Sequence, residues 1–365
     1  MSNQAAIVGM GLVSAIGHDV ETACASYRAG ISRTSSIGVT TLDPETLEDV
    51  EAYGYQVCTL SRGFVGAGLY TRLGIAALND LSHNANVDLH HPDFWRATKL
   101  LICVSPTREC ADFTPDVNVE IIRNNICHYF SSAIPVENVE FCYESNAGVA
   151  KQFQLAMALM EGGGSINRAV ILGVDSLVGS DDIRFFQAAN RLHTDDVANG
   201  LIPGEAAAAI MIDHGVGMPI PLAAKAYVGN IHCDKESEPR FGEEDNHQQV
   251  TGRKLITVLR QSLAASVNAS TCYVDLNGEE ARAQDFGNAI PAIGKPEKPF
   301  PSNIQMPAEY FGDTGAASAA IAVCLAVRSF ERNYHVGGDV VICSSSDTGE
   351  TASMIVRPVT NEGGA

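Results

Sequence analysis

The sequence predicts a mixed α/β fold made of two duplicated, layered halves, and three observations predict it. Short continuous apolar runs recur along the chain, among them Ala5-Ala6-Ile7-Val8-Gly9, Leu100 to Val104, Ala169 to Gly173, Ala206 to Ile212 and Asp339 to Cys343. Such runs read as strands buried on both faces, and the helical patterns alternating with them complete a mostly parallel sheet. The third observation is a repeat. Glu140-Phe141-Cys142-Tyr143-Glu144-Ser145-Asn146-Ala147 returns as Glu309-Tyr310-Phe311-Gly312-Asp313-Thr314-Gly315-Ala316, and each copy leads into an alanine-rich helical pattern and then a buried run. Leu100 to Val104 with Ser105-Pro106, and Cys272 to Leu276 with Asn277-Gly278, match at a similar offset, which points to duplication.

In chain order, the first half is expected over residues 1–215, from the Ala5 to Gly9 strand to the closing strand Ala206 to Ile212. The second is expected over residues 216–365, starting near Pro221. Between them His232 to Gln249, rich in Glu, Asp, Lys and His, reads as a solvated loop. Val8-Gly9-Met10-Gly11 after a strand suggests a dinucleotide fingerprint, but the third glycine is missing and Ala29 to Thr40 holds no acid for a ribose. A helix is expected to begin near Asp19.

With 365 residues, 45% of them hydrophobic, the chain can bury a sizeable core. No apolar run approaches the ~20 residues of a membrane span and no basic, apolar leader opens the chain, so a cytoplasmic location is the expectation. Acidic residues outnumber basic ones 43 to 24, for a net charge of -19, which argues against a nucleic-acid partner because phosphate contacts need clustered Lys and Arg. The ten cysteines are scattered without a Cys-x-x-Cys and read as reduced, buried thiols. The ten histidines are equally dispersed, so neither a metal site nor a cofactor is expected.

Glu140 to Ala150 reads as a strand ending at a tight Ser-Asn-Ala-Gly turn that opens a helix. This segment closely resembles the nucleophile elbow of the β-ketoacyl synthases of the thiolase superfamily. Four further stretches resemble that family in the same order: Gly9 to Glu21, Leu172 to Leu177, Asn199 to Ala207 and Ser344 to Ala352. The resemblance covers nearly all of the chain. It implies a five-layered αβαβα architecture in which loops from both halves meet at one end.

The same resemblance places the family's catalytic positions on unexpected residues. Ser145 stands where the family has cysteine, Asn277 where it has the first histidine, and Gly312 or Asp313, depending on a one-residue gap, where it has the second. Asp347 replaces the phenylalanine of the gate, the family lysine is missing from Ser302 to Phe311, and Asn146, Gly312, Glu279 and Asp347 are expected to line the pocket. Decarboxylative condensation needs a thiolate to take the acyl group and two imidazole N–H donors for the enolate. A helix dipole, worth at most ~2 kcal/mol, cannot ionise serine. Ser145 would need a base, for which Glu144, Glu279 and Asp313 are the candidates, although Glu144 faces away if the strand alternates to its end. Cys142 lies inside the strand and reads as core.

Asn277 before Gly278 suits either an oxyanion donor or turn chemistry. Asp313 would repel a malonyl carboxylate. The resemblance therefore implies a catalytically degenerate synthase that acts as a binding, scaffold or partner subunit in a lipid or polyketide setting. The alternative is an acyltransferase or a thioester or ester hydrolase with Ser145 as nucleophile. Implied partners are a second copy or a related synthase, paired through the strand Val139 to Tyr143, and an acyl carrier protein or acyl-thioester. No nucleic acid and no membrane is among them.

Overall fold

The computed structural model describes residues 4–42, 48–109, 112–114, 119–162, 164–214, 222–237, 252–266, 268–294 and 300–359. Ten strands form one twisted sheet: β1 (Gln4–Ser14), β2 (Thr98–Cys103), β3 (Val139–Cys142), β4 (Arg168–Ser176), β5 (Glu205–Asp213), β6 (Ala226–Lys235), β7 (Ala269–Val274), β8 (Asn303–Gln305), β9 (Asp339–Ser345) and β10 (Glu350–Pro358). Their order is β8-β7-β9-β10-β6-β1-β5-β4-β2-β3. The strands before residue 214 and those after residue 225 repeat one arrangement on either side of the antiparallel β6/β1 seam.

Helices complete five layers. The middle layer holds α4 (Ser145–Glu161) and α8 (Ser318–Glu331), which pack on each other and on strands of both sets. α8 is alanine-rich and buried from Ala319 to Phe330, as a helix apolar on every side must be. Outside the first set lie α2 (Gly66–Ala85) and α3 (Val119–Tyr129), and outside the second lie α6 (Arg253–Ala264) and its partner α7 (Glu280–Ile293). The remaining helices that matter are α1 (Val20–Arg28), which packs against α8, and α5 (Ser180–Ala188). This is the αβαβα order implied by the family resemblance.

The structure corrects the sequence reading in four places. First, the sheet is mixed: β2 runs parallel to β3 and β4, and β7 to β8 and β9, but the pairs joining β4, β5, β1, β6, β10 and β9 are antiparallel. Continuous apolar runs report burial on both faces, not strand direction. Second, β1 runs past the expected Ala5 to Gly9 strand to Ser14, with Gly9 and Gly11 inside it where α2 crosses close above; a Cβ on Gly11 would lie 2.0 Å from the Ala77 carbonyl oxygen. Third, His232 to Lys235 belong to β6, paired with Ser353 to Glu350. The rest of the expected loop, from residue 238 onward, lies outside the described residues. Fourth, Glu309 to Phe311, the counterpart of β3 in the repeat, form a helical turn, and the strand of the second set is the three-residue β8 upstream. The expected N-cap is present: Asp19 accepts from Thr22 N at the start of α1.

Candidate functional site

Ser145 opens α4 with φ of 45°, in the left-handed region that a non-glycine residue enters at a cost of about 1–3 kcal/mol. Contacts from two distant segments hold it there. Ser346 Oγ donates to the Glu144 carbonyl and accepts from Ala147 N at 3.1 Å, while Cys103 Sγ lies 3.5 Å from the Ser145 carbonyl oxygen. Gly148 lets the helix close on the sheet, since a Cβ there would lie 2.2 Å from Cys103 Sγ. The Glu144 side chain pairs with Lys151 of α4; β3 stops at Cys142, so strand alternation does not reach Glu144. Cys142 contacts Cys103 across β2 and β3, Sγ to Sγ 3.6 Å, and burial pushes the Cys103 thiol well up.

Behind Ser145 runs a chain of buried hydroxyls that ends at a carboxylate. Ser145 Oγ lies 2.7 Å from Ser105 Oγ, and Ser105 donates a short hydrogen bond to Asp175 Oδ2. Asp175 also accepts from Tyr70 Oη at 2.9 Å and from the backbone N–H groups of Ser176 (3.0 Å) and Ala316 (2.8 Å). Asp175 is an acceptor for all four. The last contact explains Gly315, which has φ of 47°: a Cβ there would lie 2.0 Å from Asp175 Oδ2.

Asn277 and Asp313 meet directly. Asn277 Nδ2 donates to Asp313 Oδ2 at 2.7 Å and to Glu279 Oε2 at 2.8 Å, and Asp313 Oδ1 accepts from Gly315 N at 3.0 Å. Because Asp175 and Asp313 bind neighbouring N–H groups of one turn, residues 315 and 316, the Ser145 chain and the Asn277 pair end at the same loop. Glu279 in turn holds Arg191 through two bonds, Nε–Oε1 2.6 Å and Nη2–Oε2 3.0 Å. Asp347 bridges Arg191 (3.0 Å) and Arg282 (2.8 Å), and Arg282 reaches Asp275 at 3.2 Å and the Ser345 carbonyl. All of these side chains are buried except Asp275, which is partly so. Burial alone would push both guanidiniums down. The carboxylates of Asp347 and Glu279 beside Arg191, and of Asp275 and Asp347 beside Arg282, outweigh it and hold both above the ordinary arginine value.

Gly312, with φ of 72°, presents backbone to Pro203 and Gly204, so of the two candidates for the second histidine position only Asp313 brings a side chain. A cavity of about 20 Å³ remains under Asp313, lined by Tyr273, Asp275, Phe311, Thr314 and Ser344. That is room for about one water. A larger groove of about 740 Å³ opens on the other side, over Ser105, Tyr70, Ser176 and Glu205. Burial raises the Glu205 carboxyl, with hydrogen bonds from Ser61, Val57 N and Ser176 opposing it.

Sequence reasoning did not single out Ser105, Asp175, Arg191 or Arg282. Two of them left a signal. Asp175 interrupts the apolar run of β4, and a carboxylate inside such a strand needs partners; Ser105 follows β2 at the end where the loops gather. Arg191 and Arg282 lie in polar stretches that look solvated in one dimension.

No family model matches the chain, and no curated protein matches it in sequence. Solved structures do. A chain of AntDE:AntF, a type II polyketide synthase acyl-carrier protein in complex with its ketosynthase bound to the hexaketide, aligns with a TM-score of 0.73 and 13% identity over 99% of this chain and 100% of its own. The ketosynthase from module 6 of the bacillaene synthase of Bacillus subtilis 168 aligns at 0.72 and 12% identity over 98% of this chain and 72% of its own. The ishigamide ketosynthase/chain length factor aligns at 0.69 and 15% identity over 98% and 100%. Identity this low carries the fold and not the activity, and the fold of this chain is the thiolase-like fold of the ketosynthases.

Proposed function

We propose that this protein is a non-condensing member of the ketosynthase type that works as a binding or partner subunit in polyketide or lipid assembly. One observation carries the reading. Where decarboxylative condensation calls for two imidazoles, Asn277 and Asp313 bond each other and are locked to Glu279, Arg191, Asp347 and Arg282, beside a cavity of about 20 Å³. An enolate needs donors facing open space. This network gives it a carboxylate and almost no space. The structural neighbours add a setting: one is a carrier protein with its ketosynthase and another a ketosynthase/chain length factor, so a related synthase and an acyl carrier protein are the proposed partners. The nine described free cysteines suit a reducing cytoplasm.

The wild type should neither decarboxylate a malonyl thioester nor condense it with an acyl thioester, and Ser145→Cys alone should not restore the reaction. A thiolate would return, but the enolate would still lack both imidazoles and face Asp313. Release of carbon dioxide from malonyl thioester by the wild type would overturn the reading. A second reading, acyl transfer to Ser145 itself, is favoured by the 2.7 Å hydrogen bond between the Ser145 and Ser105 hydroxyls.

A further inference from the structure

We propose that Ser105 and Asp175 form a hydroxyl relay that makes Ser145 an acceptor of acyl groups from thioesters and aryl esters. The inference deepens the acyl-transfer reading of Ser145 and is independent of the partner-subunit reading. Hydrogen-bond bookkeeping sets the direction of the relay. The Asp175 carboxylate can only accept, so the Ser105 proton points to it; the single Ser145 proton then has two acceptors in reach, Asn146 Oδ1 at 3.0 Å and Ser105 Oγ at 2.7 Å, and the shorter contact closes the relay. Each hydroxyl polarises the next along the chain. The strained backbone at Ser145 presents its Oγ at the start of α4, as a nucleophile elbow requires.

Two further features point to a ligand. Asn146 is buried; its Oδ1 accepts from the Ser145 hydroxyl at 3.0 Å, and its Nδ2 has no hydrogen-bond partner. An amide N–H without a partner is a donor available to a carbonyl oxygen. The groove of about 740 Å³ is of small-ligand size and is lined in part by Ser105, the hydroxyl 2.7 Å from Ser145 Oγ, with Phe64 and Val178 supplying apolar wall.

The step balances without a cofactor. Ser145 Oγ attacks the carbonyl carbon, its proton passes to Ser105 Oγ, and the Ser105 proton passes to Asp175. The new C–O bond forms, the C–S bond breaks, and the departing thiolate recovers the proton from Asp175 through Ser105. Among the described residues no imidazole hydrogen-bonds to Ser145, Ser105 or Asp175, so protonation falls to the Asp175–Ser105 chain alone and the leaving group must already be a good one. A thiol with a pKa of ~8.5 or a phenol near ~10 meets that condition. An amide does not, which confines the substrates to activated acyl groups.

The test is intact-mass measurement and peptide mapping of the full chain after incubation with hexanoyl-N-acetylcysteamine and with p-nitrophenyl hexanoate. One hexanoyl group is expected on Ser145, and Ser145→Ala should carry none. Ser105→Ala and Asp175→Asn should slow acylation by roughly 10²-fold, the lower range for a positioned general base. Ser105→Thr, which keeps a hydroxyl, should recover much of the rate, and melting temperatures should show whether each variant is folded. A folded Ser105→Ala that acylates as fast as the wild type would overturn the relay while leaving Ser145 as the acceptor. Absence of any adduct on the wild type, or an adduct only on exposed Cys58, would overturn the Ser145 reading as well.

Discussion

Arg282→Ala should lower the stability of the protein by about 3–5 kcal/mol, the loss measured when one partner of a buried ion pair is removed. Arg282 is 3% exposed and binds Asp275, Asp347 and the Ser345 carbonyl, so its loss removes a cation shared by two carboxylates and an acceptor at once, leaving Asp347 with Arg191 and Asp275 with the Ser345 N–H. Arg282→Met keeps most of the volume and should cost nearly as much, which separates charge from packing. Adding Asp347→Asn to Arg282→Met should recover part of the loss, because the network then has one carboxylate fewer for its remaining cation, Arg191. Urea titration followed by circular dichroism measures all three. A loss below about 1 kcal/mol for Arg282→Ala would place the pair in the class of solvent-screened surface bridges and would remove the argument that the network is a structural substitute for a catalytic pocket.

The second large effect concerns assembly. β3 is an end strand of the sheet, paired with β2 on one side, and its residues are only partly buried past Val139. An apolar edge of this kind is an aggregation hazard unless covered. Exposed Ile121 and Tyr129 on α3 and Val136 just before β3 continue the apolar surface beside it. We propose that β3 pairs antiparallel with a second copy or with a related synthase across an interface well above the ~2,000 Å² of obligate dimers. Light scattering at micromolar concentration should find a dimer for the wild type and a folded monomer for Phe141→Asp. A stable wild-type monomer, or an unchanged dimer in the variant, counts against this interface. A monomer that pairs only with an added synthase would replace the homodimer by the heterodimer.

Sequence alone determined the layered architecture and the location of the elbow. Burial on both faces leaves an unbroken apolar run, as in β4 and β5, and an all-round apolar helix such as α8 leaves a pattern that can be read without coordinates. Turn chemistry is equally local, so Ser145, Asn277 and Asp313 could each be placed at the end of an element. Strand direction and the fate of Glu309 to Phe311 were not legible, because neither changes the one-dimensional pattern. What those residues touch was decided only in three dimensions. Ser105 and Ser145 are 40 residues apart, Ser105 and Asp175 70, Arg191 and Glu279 88, and Arg191 and Asp347 156. Periodicity records how each side chain stands to its own strand or helix; which charges and hydroxyls then share a buried space follows from how the five layers pack, and only the folded chain specifies that.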